Sequence, residues 1–375
     1  MSQPPAPRPV ASTPRFAPLP LPDPWWDRIP AVTLTLGLVL AVLLALGLVV
    51  PVPYAVRMPG PTVDTLGEVD DEPLISISDA ETYPSDGQLR LTTVSASGGP
   101  DYPVFMLRAL QGFFDPASSV LPREAIFPEN QTAEEAKEQS QAQMTSSQEN
   151  ATAAALTALG YEVPADLVVA GVVEDGPAVG AIEVDDVIES VEIDGVVTET
   201  ATFPDLLGLL DRTPPGTPIT LALDRAGTRA SAELTTGDDG AGGSVIGVLI
   251  DPDFHFPVNV AIQIHDIGGP SAGTMFALGI MELLTPGDAT GGHVIAGTGT
   301  IDLEGNVGPI GGIVQKMNGS LRDGAEFFLA PVANCGDVAG HVPGDLRVVA
   351  VGTLEEAWAA VQAIGTGDAA DLPSC

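Results

Sequence analysis

The sequence predicts an α+β protein of 375 residues that begins with a transmembrane helix, and three successive patterns support this fold class. Residues 31–50 form an uncharged apolar run of the length that crosses a bilayer. Between residues 161 and 236, short apolar runs alternate with turn residues, which is typical of a small β domain. Within residues 265–318, two Gly-Pro turns each precede an apolar helical pattern. We therefore expect a membrane helix, a β domain and a mixed domain.

The composition excludes several classes of protein. The chain has 50 acidic residues against 14 Lys and Arg, for a net charge of −36, whereas nucleic-acid-binding proteins carry clustered positive charge. Its two lysines, Lys137 and Lys316, do not follow a G-x-x-x-x-G run, as a Walker-type nucleotide site requires. The two cysteines and four histidines form no zinc-binding pattern. We therefore expect no nucleic-acid partner, no cofactor and no metal.

The apolar run over residues 31–50 is interpreted as an uncleaved membrane anchor. Twenty helical residues rise about 30 Å, which matches the hydrocarbon core of a bilayer. Trp25 and Trp26 lie where an interfacial aromatic belt belongs, and Pro51 ends the helix. The alternative is a cleaved signal peptide, whose apolar region is usually about 7–15 residues long.

The flanking charges predict the orientation of this anchor. Arg8, Arg15 and Arg28 precede the span, whereas Arg57 alone lies close after it, so the N-terminus is expected in the cytoplasm. Residues 1–30, rich in proline near the start, are expected to form a disordered cytoplasmic tail. The remainder, with nearly all of the negative charge, is then extracytoplasmic in the cell membrane.

Residues 52–160 are expected to form an extracytoplasmic β/α region to which the sequence assigns no chemistry. Its last part, residues 132–160, predicts a helix. Thr132 and Glu135 have the spacing of a capping box, and Gly160 marks a stop. The interior is rich in Ala, Gln and Glu, so we interpret this helix as a connector.

Residues 161–236 predict strands, one helix and a final hairpin. Residues 167–173 are a buried-strand run, residues 185–191 predict a second strand, and Asp194-Gly195 is a hairpin signal. The order GPA, IEVDDVIESVEIDG and PGTPITLALDRAG resembles a PDZ domain of the bacterial protease-associated type. This resemblance implies capture of an extended peptide by strand addition beside residues 167–173. The alternative is an unspecialised small β domain.

Ser271 is the first candidate catalytic residue. It follows the turn formed by Gly269 and Pro270 and is expected to begin a helix over residues 271–284. A serine in this place can cap the helix, or it can act as a nucleophile whose oxyanion is stabilised by backbone N–H groups. Gly269, Pro270 and Ala272 form the turn in which such an oxyanion would lie.

Lys316 is the second candidate, because it lies in an apolar helical pattern of a chain that otherwise contains one lysine. The simpler interpretation is a surface lysine. The functional one is a Ser–Lys dyad, in which a neutral amine acts as the base for the serine hydroxyl. Burial would keep the amine neutral, because it lowers a lysine pKa from about 10.4 towards 7–8.

Several segments resemble the proteolytic domain of Lon proteases: GPSAG (269–273), TGTI (298–301), DLEGNVGPIGG (302–312) and the lysine that follows. The resemblance implies a domain over residues 240–375 with the ribosomal protein S5 domain 2-like fold. It assigns Ser271 as nucleophile and Lys316 as base, with Thr298 orienting the lysine.

With the anchor and the PDZ-like region, the whole chain resembles the membrane-anchored PDZ–Lon (YlbL-like) protease family. That family resemblance implies an ATP-independent serine endopeptidase, because the ATPase module of Lon is absent. It also implies unfolded or flexible protein substrates and a homo-oligomer, commonly a hexameric ring.

Other interpretations remain open at this stage. His265 and Asp266 could complete a Ser-His-Asp triad, and GGPSAG is similar to the phosphate loops of small-molecule kinases. A non-catalytic PDZ adaptor or chaperone that retains the protease fold is the alternative function. Cys335 and Cys375 would face an oxidising exterior, which favours a disulfide over two free thiols.

Overall fold

A computed structural model describes residues 31–99, 102–127, 131–240, 242–264 and 267–375. The expected cytoplasmic tail, residues 1–30, lies outside the described residues. The helices, in chain order, are α1 (Ala31–Val49), α2 (Met106–Phe114), α3 (Ala133–Ala158), α4 (Phe203–Asp211), α5 (Gly273–Leu284), α6 (Ile313–Arg322), α7 (Cys335–Val338) and α8 (Leu354–Thr366).

The strands are numbered along the chain. They are β1 (Tyr54–Asp64), β2 (Glu68–Val69), β3 (Glu72–Pro73), β4 (Ile75–Ser78), β5 (Gln88–Ser97), β6 (Ser119–Pro122), β7 (Ala165–Val172), β8 (Asp186–Ile193), β9 (Val196–Glu199), β10 (Pro218–Arg225), β11 (Thr228–Thr235), β12 (Gly237–Asp238), β13 (Ser244–Val245), β14 (Val248–Phe254), β15 (Asn259–Ile262), β16 (Val294–Gly297), β17 (Thr300–Ile301), β18 (Val307–Gly308), β19 (Phe327–Pro331) and β20 (Arg347–Val351).

Helix α1 confirms the prediction of a long apolar N-terminal helix. Its 19 residues contain no charge, and they rise about 28 Å. In the described part of the chain it is the one helix long and apolar enough to cross a membrane. Leucine and valine side chains along it are exposed, for example Leu36 and Leu38, so the folded domains do not bury its surface.

The first sheet has six strands in the order β20-β19-β16-β5-β1-β6. β16 pairs in parallel with β5 and β19, and β19 with β20, whereas β1 pairs antiparallel with β5 and β6. This sheet corrects the expected division between residues 52–160 and residues 240–375, because each range contributes three of its strands. The register Leu89↔Ile295 joins two buried side chains across the boundary that the sequence suggested.

Helix α5 fills the centre of the core beneath this sheet. Every residue from Gly273 to Glu282 is buried, and Met275, Phe276 and Leu278 have no exposed surface. Buried residues of α3, α8 and the strands surround it in one apolar cluster. A helix that is apolar on all sides requires such complete enclosure.

Helix α3 confirms the predicted helix but is not a simple connector. Thr132 and Glu135 form the capping box: Thr132 Oγ1 accepts from the Glu135 N–H at 3.2 Å, and the Glu135 carboxylate accepts from the Thr132 N–H at 2.8 Å. Met144 and Ala151 are buried in the same apolar cluster as α5. The helix therefore belongs to the mixed domain and packs against its central helix.

The second sheet has the order β11-β10-β8-β7-β14, with β9 pairing β8. It has its own apolar core, with Leu206 and Leu210 of α4 packed over it. The sheet extends to Phe254, beyond the expected boundary at residue 236, because β14 pairs antiparallel with β7.

This pairing corrects the expected peptide-binding edge. β7, which contains most of residues 167–173, has β8 on one side and β14 on the other, so an added strand cannot pair with it. In the described part of the sheet, the edge strand on this side is β14.

Candidate active site

Three segments bring the predicted catalytic residues together. Ser271 lies just before α5, Thr298 follows β16, and Lys316 lies in the first turn of α6. Lys316 Nζ is 2.8 Å from Ser271 Oγ and 2.7 Å from Thr298 Oγ1. Residues 45 positions apart in the sequence are thus in hydrogen-bond contact, which is the distance that proton transfer requires.

Lys316 is held in a nonpolar environment. Its side chain is 3% exposed, and burial lowers its pKa to about 7. The physical cause is desolvation, which penalises the ammonium form and leaves the neutral amine unaffected. Near neutral pH, a large fraction of Lys316 is therefore the unprotonated amine that can accept a proton from Ser271.

Thr298 determines which way this amine points. Its hydroxyl has one hydrogen, which it donates to the Ser271 carbonyl oxygen at 2.9 Å. The contact between Thr298 Oγ1 and Lys316 Nζ is therefore made by an N–H of the lysine. With an N–H directed at Thr298, the nitrogen lone pair is free to face the hydroxyl of Ser271.

Ser271 does not cap the helix that follows it. Helix α5 begins at Gly273, two residues later than expected, and the residue at its N-cap is Ala272, with no side-chain cap. The Ser271 hydroxyl lies at Lys316 instead. The structural interpretation of this serine as an N-cap is therefore wrong.

The turn residues differ in what they can offer an oxyanion. Gly269 adopts a φ of +86°, in the region that favours glycine, and its N–H donates to the Ser140 carbonyl at 2.9 Å. Pro270 has no N–H. Within the described residues, the N–H groups of Ser271 and Ala272 have no acceptor, so the donors that remain are these two.

Sequence reasoning missed that α3 positions this turn. Ser147 Oγ donates to the Pro270 carbonyl at 3.0 Å, and the Ser140 carbonyl accepts from Gly269. A Cβ on Gly268 would collide with the Ser140 side chain, so the turn also lies close against the helix. Ser140 and Ser147 are seven residues apart and share one helix face, which is the signal that could have identified them.

A cavity of about 470 Å³ opens beside the Ser271 and Lys316 side chains. One side is formed by β5, which pairs with β16 only from Gln88 to Leu91. The lining residues are Pro61, Thr92, Thr93, Val94, Ser95, Ala96, Met144, Ile267, Gly268, Ser271, Ala272, Gly311 and Lys316. The part of β5 that follows Leu91 therefore borders the cavity with a free strand edge in the described part of the sheet.

The remaining candidates have different outcomes. His265 and Asp266, proposed for a Ser-His-Asp triad, lie outside the described residues. Among the residues that the structure describes, no group of His, Cys, Asp or Glu has the arrangement of a metal site. Cys335 and Cys375 form a disulfide with a Cα–Cα distance of 4.8 Å.

Known proteins are similar to the part of the chain that carries these residues. Residues 248–362 match the family model of the Lon protease (S16) C-terminal proteolytic domain. Lon protease of Campylobacter concisus is 37% identical over 92 residues, which is 24% of this chain and 11% of that protein. Lon protease 2 of Bacillus subtilis is 34% identical over 110 residues, or 28% of this chain and 18% of that protein. The chain thus spans less than a fifth of the length of these relatives.

Solved PDZ domains are also similar to part of the chain. The PDZ domain of an SdrC-like protein from Listeria innocua is 23% identical, with a TM-score of 0.20, over 23% of this chain and 92% of that domain. The corresponding domain from Listeria monocytogenes is 20% identical, with a TM-score of 0.20, over 23% of this chain and 86% of that domain.

The comparisons define a class for part of the chain. Residues 248–362 are similar to the C-terminal proteolytic domain of Lon proteases, which supports a peptidase. An N-terminal apolar helix and similarity to PDZ domains accompany that domain.

Proposed function

We propose that this protein is a membrane-anchored serine endopeptidase that hydrolyses peptide bonds with a Ser271–Lys316 dyad. The observation that supports it most directly is the contact of 2.8 Å between a buried lysine amine with a pKa of about 7 and a serine hydroxyl. A structural ion pair is a poor explanation, because among the described residues the groups hydrogen-bonded to Lys316 are hydroxyls and not carboxylates.

The geometry supports a two-stage reaction. Ser271 Oγ attacks the scissile carbonyl carbon while its proton passes to Lys316 Nζ, and the N–H groups of Ser271 and Ala272 stabilise the oxyanion. The ammonium then protonates the leaving amine, which leaves an ester on Ser271. In the second stage Lys316 removes a proton from water and the hydroxide attacks the ester. The ester bond then breaks, Lys316 returns the proton to Ser271 Oγ, and the peptide acid is released.

The substrate would bind in an extended form. The free edge of β5 beside the cavity can hydrogen-bond a peptide backbone, which requires an unfolded or flexible segment. We propose that the PDZ-like domain binds or presents such chains along β14, the edge strand of its sheet. The reaction consumes no nucleotide, so we expect hydrolysis without ATP.

The proposed location follows from α1 and the flanking charges. α1 spans the cell membrane with the N-terminus in the cytoplasm, and the acidic bulk of the chain lies outside. Substrates would then be extracytoplasmic or membrane-proximal proteins.

The test is hydrolysis of casein by the full-length protein in detergent. We expect peptide release that does not change with ATP or with EDTA, and that is lost in Ser271→Ala and Lys316→Met. Lys316→Arg should not restore it, because guanidinium stays charged. If Ser271→Ala releases as much peptide as the wild type, the dyad is refuted and the non-catalytic adaptor is favoured.

A further inference from the structure

Helix α2 carries an apolar stripe that the described part of the molecule leaves largely exposed at its C-terminal end. Met106, Leu110, Phe113 and Phe114 are spaced i, i+4, i+7 and i+8, so they share one helix face. Phe113 is 74% exposed and Phe114 78% exposed, and Tyr102, just before the helix, is 76% exposed. Two adjacent phenylalanines and a tyrosine in solvent form a patch that a water-soluble surface rarely shows.

The opposite face of α2 is packed in the ordinary way. A Cβ on Gly112 would lie 2.9 Å from a methyl group of Val56 and 3.2 Å from one of Val120, so α2 lies close on β1 and β6. The folding of the domain therefore uses the inner face of this helix. The outer face is not needed for this packing.

The position of α2 identifies a partner for the outer face. Leu107 lies against the last turn of α1, because a Cβ on Gly47 would be 3.2 Å from Leu107 Cδ1. The link that follows α1 is also tied to the start of α2, since the Val52 N–H donates to the Val104 carbonyl at 2.8 Å. If α1 spans the bilayer, as proposed above, its last turn lies at the outer boundary of the hydrocarbon core, and α2 lies at the same depth.

The charges on α2 suit a lipid surface. Residues 102–114 contain one charged residue, Arg108, which is exposed, in a chain with 50 acidic residues. An interfacial helix typically inserts aromatic and aliphatic side chains about 5–10 Å into the headgroup region and keeps cations near the phosphates. We propose that α2 lies in the outer membrane–water interface, with Phe113 and Phe114 inserted among the lipids.

This contact would fix the catalytic domain against the bilayer. Arg108 of α2 touches Met58 of β1, and Met58 pairs with Ser95, which lines the catalytic cavity. The cavity is therefore one strand pair from the membrane-contacting helix. A single flexible tether would let the domain rotate, whereas two contacts hold the cavity close to the lipid surface.

The experiment measures the depth of an introduced tryptophan. Full-length Phe113→Trp is reconstituted in vesicles of phosphatidylcholine and phosphatidylglycerol, with and without bromine on the acyl chains. The emission of the wild type, which comes from its three native tryptophans, is subtracted. Val197→Trp is the matched control, because Val197 is 58% exposed on β9 of the PDZ-like domain.

We expect brominated lipid to quench the added emission of Phe113→Trp several-fold more than that of Val197→Trp. Equal quenching at both positions, in protein that floats with the vesicles, overturns the contact and leaves the anchor intact. Blue-shifted emission at position 113 without quenching means that protein, such as a second copy of this chain, covers the patch, and this too overturns the contact. Protein that fails to float with the vesicles refutes the anchor and the contact together.

Discussion

Burial of Lys316 costs the folded protein stability, and the proposed role as a base would explain why this cost is tolerated. Its pKa is about 7 when folded and about 10.4 when unfolded, a difference that corresponds to roughly 4–5 kcal/mol. For a lysine with a lowered folded pKa, this cost is absent above the unfolded pKa. It grows as the pH falls from about 10 to about 7, and it is constant below that, where both states are protonated.

We therefore predict that Lys316→Met is more stable than the wild type at pH 7. The gain in unfolding free energy should shrink as the pH rises from 7 towards 10, because the unfolded lysine then loses its proton as well. Thermal unfolding at several pH values measures it, with Lys137→Met as the control, since Lys137 is exposed on α3. A lower melting temperature for Lys316→Met at pH 7 would show that the lysine stabilises the fold.

The role of the Thr298 hydroxyl in turnover can be tested with a substitution that keeps the shape of the side chain nearly constant. Thr298→Val removes the hydroxyl that accepts from Lys316 and donates to the Ser271 carbonyl, so the amine loses its orientation. Loss of a buried hydrogen-bonding partner costs about 1.5–3 kcal/mol, so kcat should fall roughly 10- to 100-fold. Thr298→Ser, which keeps the hydroxyl, should retain most of the activity. Equal loss in both variants would indicate a packing effect instead.

At the scale of elements, α3 is the part of the site that lies outside the family motifs. Ser147→Ala should free the Pro270 carbonyl and loosen the turn that carries Ser271. We expect a fall in kcat with KM nearly unchanged, because the cavity walls stay in place. Ser146→Ala is the matched control, since Ser146 is exposed on the same turn of the helix. A change of melting temperature without any change in kcat would assign Ser147 a structural role alone.

The sequence predicts some elements well for physical reasons. Ser271 and Lys316 stand out because a glycine turn before an apolar helix and a rare lysine among apolar residues are local patterns. Ser147 does not stand out, because one serine in a polar helix looks like a surface residue, and its partner Pro270 is 123 positions away. The edge position of β14 could not be predicted from the sequence either, because strand patterns define burial but not pairing partners.

At the scale of the whole molecule, the first sheet is closed by residues from both ends of the chain that follows α1. β1, which follows α1, pairs with β5. The next part of the chain forms the PDZ-like domain, and α5 and the strands from β16 onwards come after that domain in the sequence. The site can therefore form only when the segments before and after the PDZ-like domain are both in place. A break or insertion in residues 54–97 should abolish the site as surely as one near Ser271.

The disulfide holds the C-terminal segment at the β20 edge of the first sheet. β20 is the edge strand, and the C-terminal segment lies along it, where the Pro373 carbonyl accepts from the Ala350 N–H at 2.9 Å. The bond between Cys335 and Cys375 joins residues 40 positions apart and holds this segment in place. A cross-link over a loop of this length contributes about 3–4 kcal/mol, mainly by restricting the unfolded chain.

We therefore predict that the double variant Cys335→Ala/Cys375→Ala melts about 5–10 °C below the wild type. Its kcat at 25 °C should be unchanged, because the Asn334 amide still hydrogen-bonds the Ile310 backbone before α6 and keeps Lys316 in place. Reduction of the wild type with dithiothreitol should lower its melting temperature to that of the variant, and should leave the variant unaffected. Identical melting of oxidised and reduced wild type would mean that contacts such as the one between Pro373 and Ala350 hold the segment on their own.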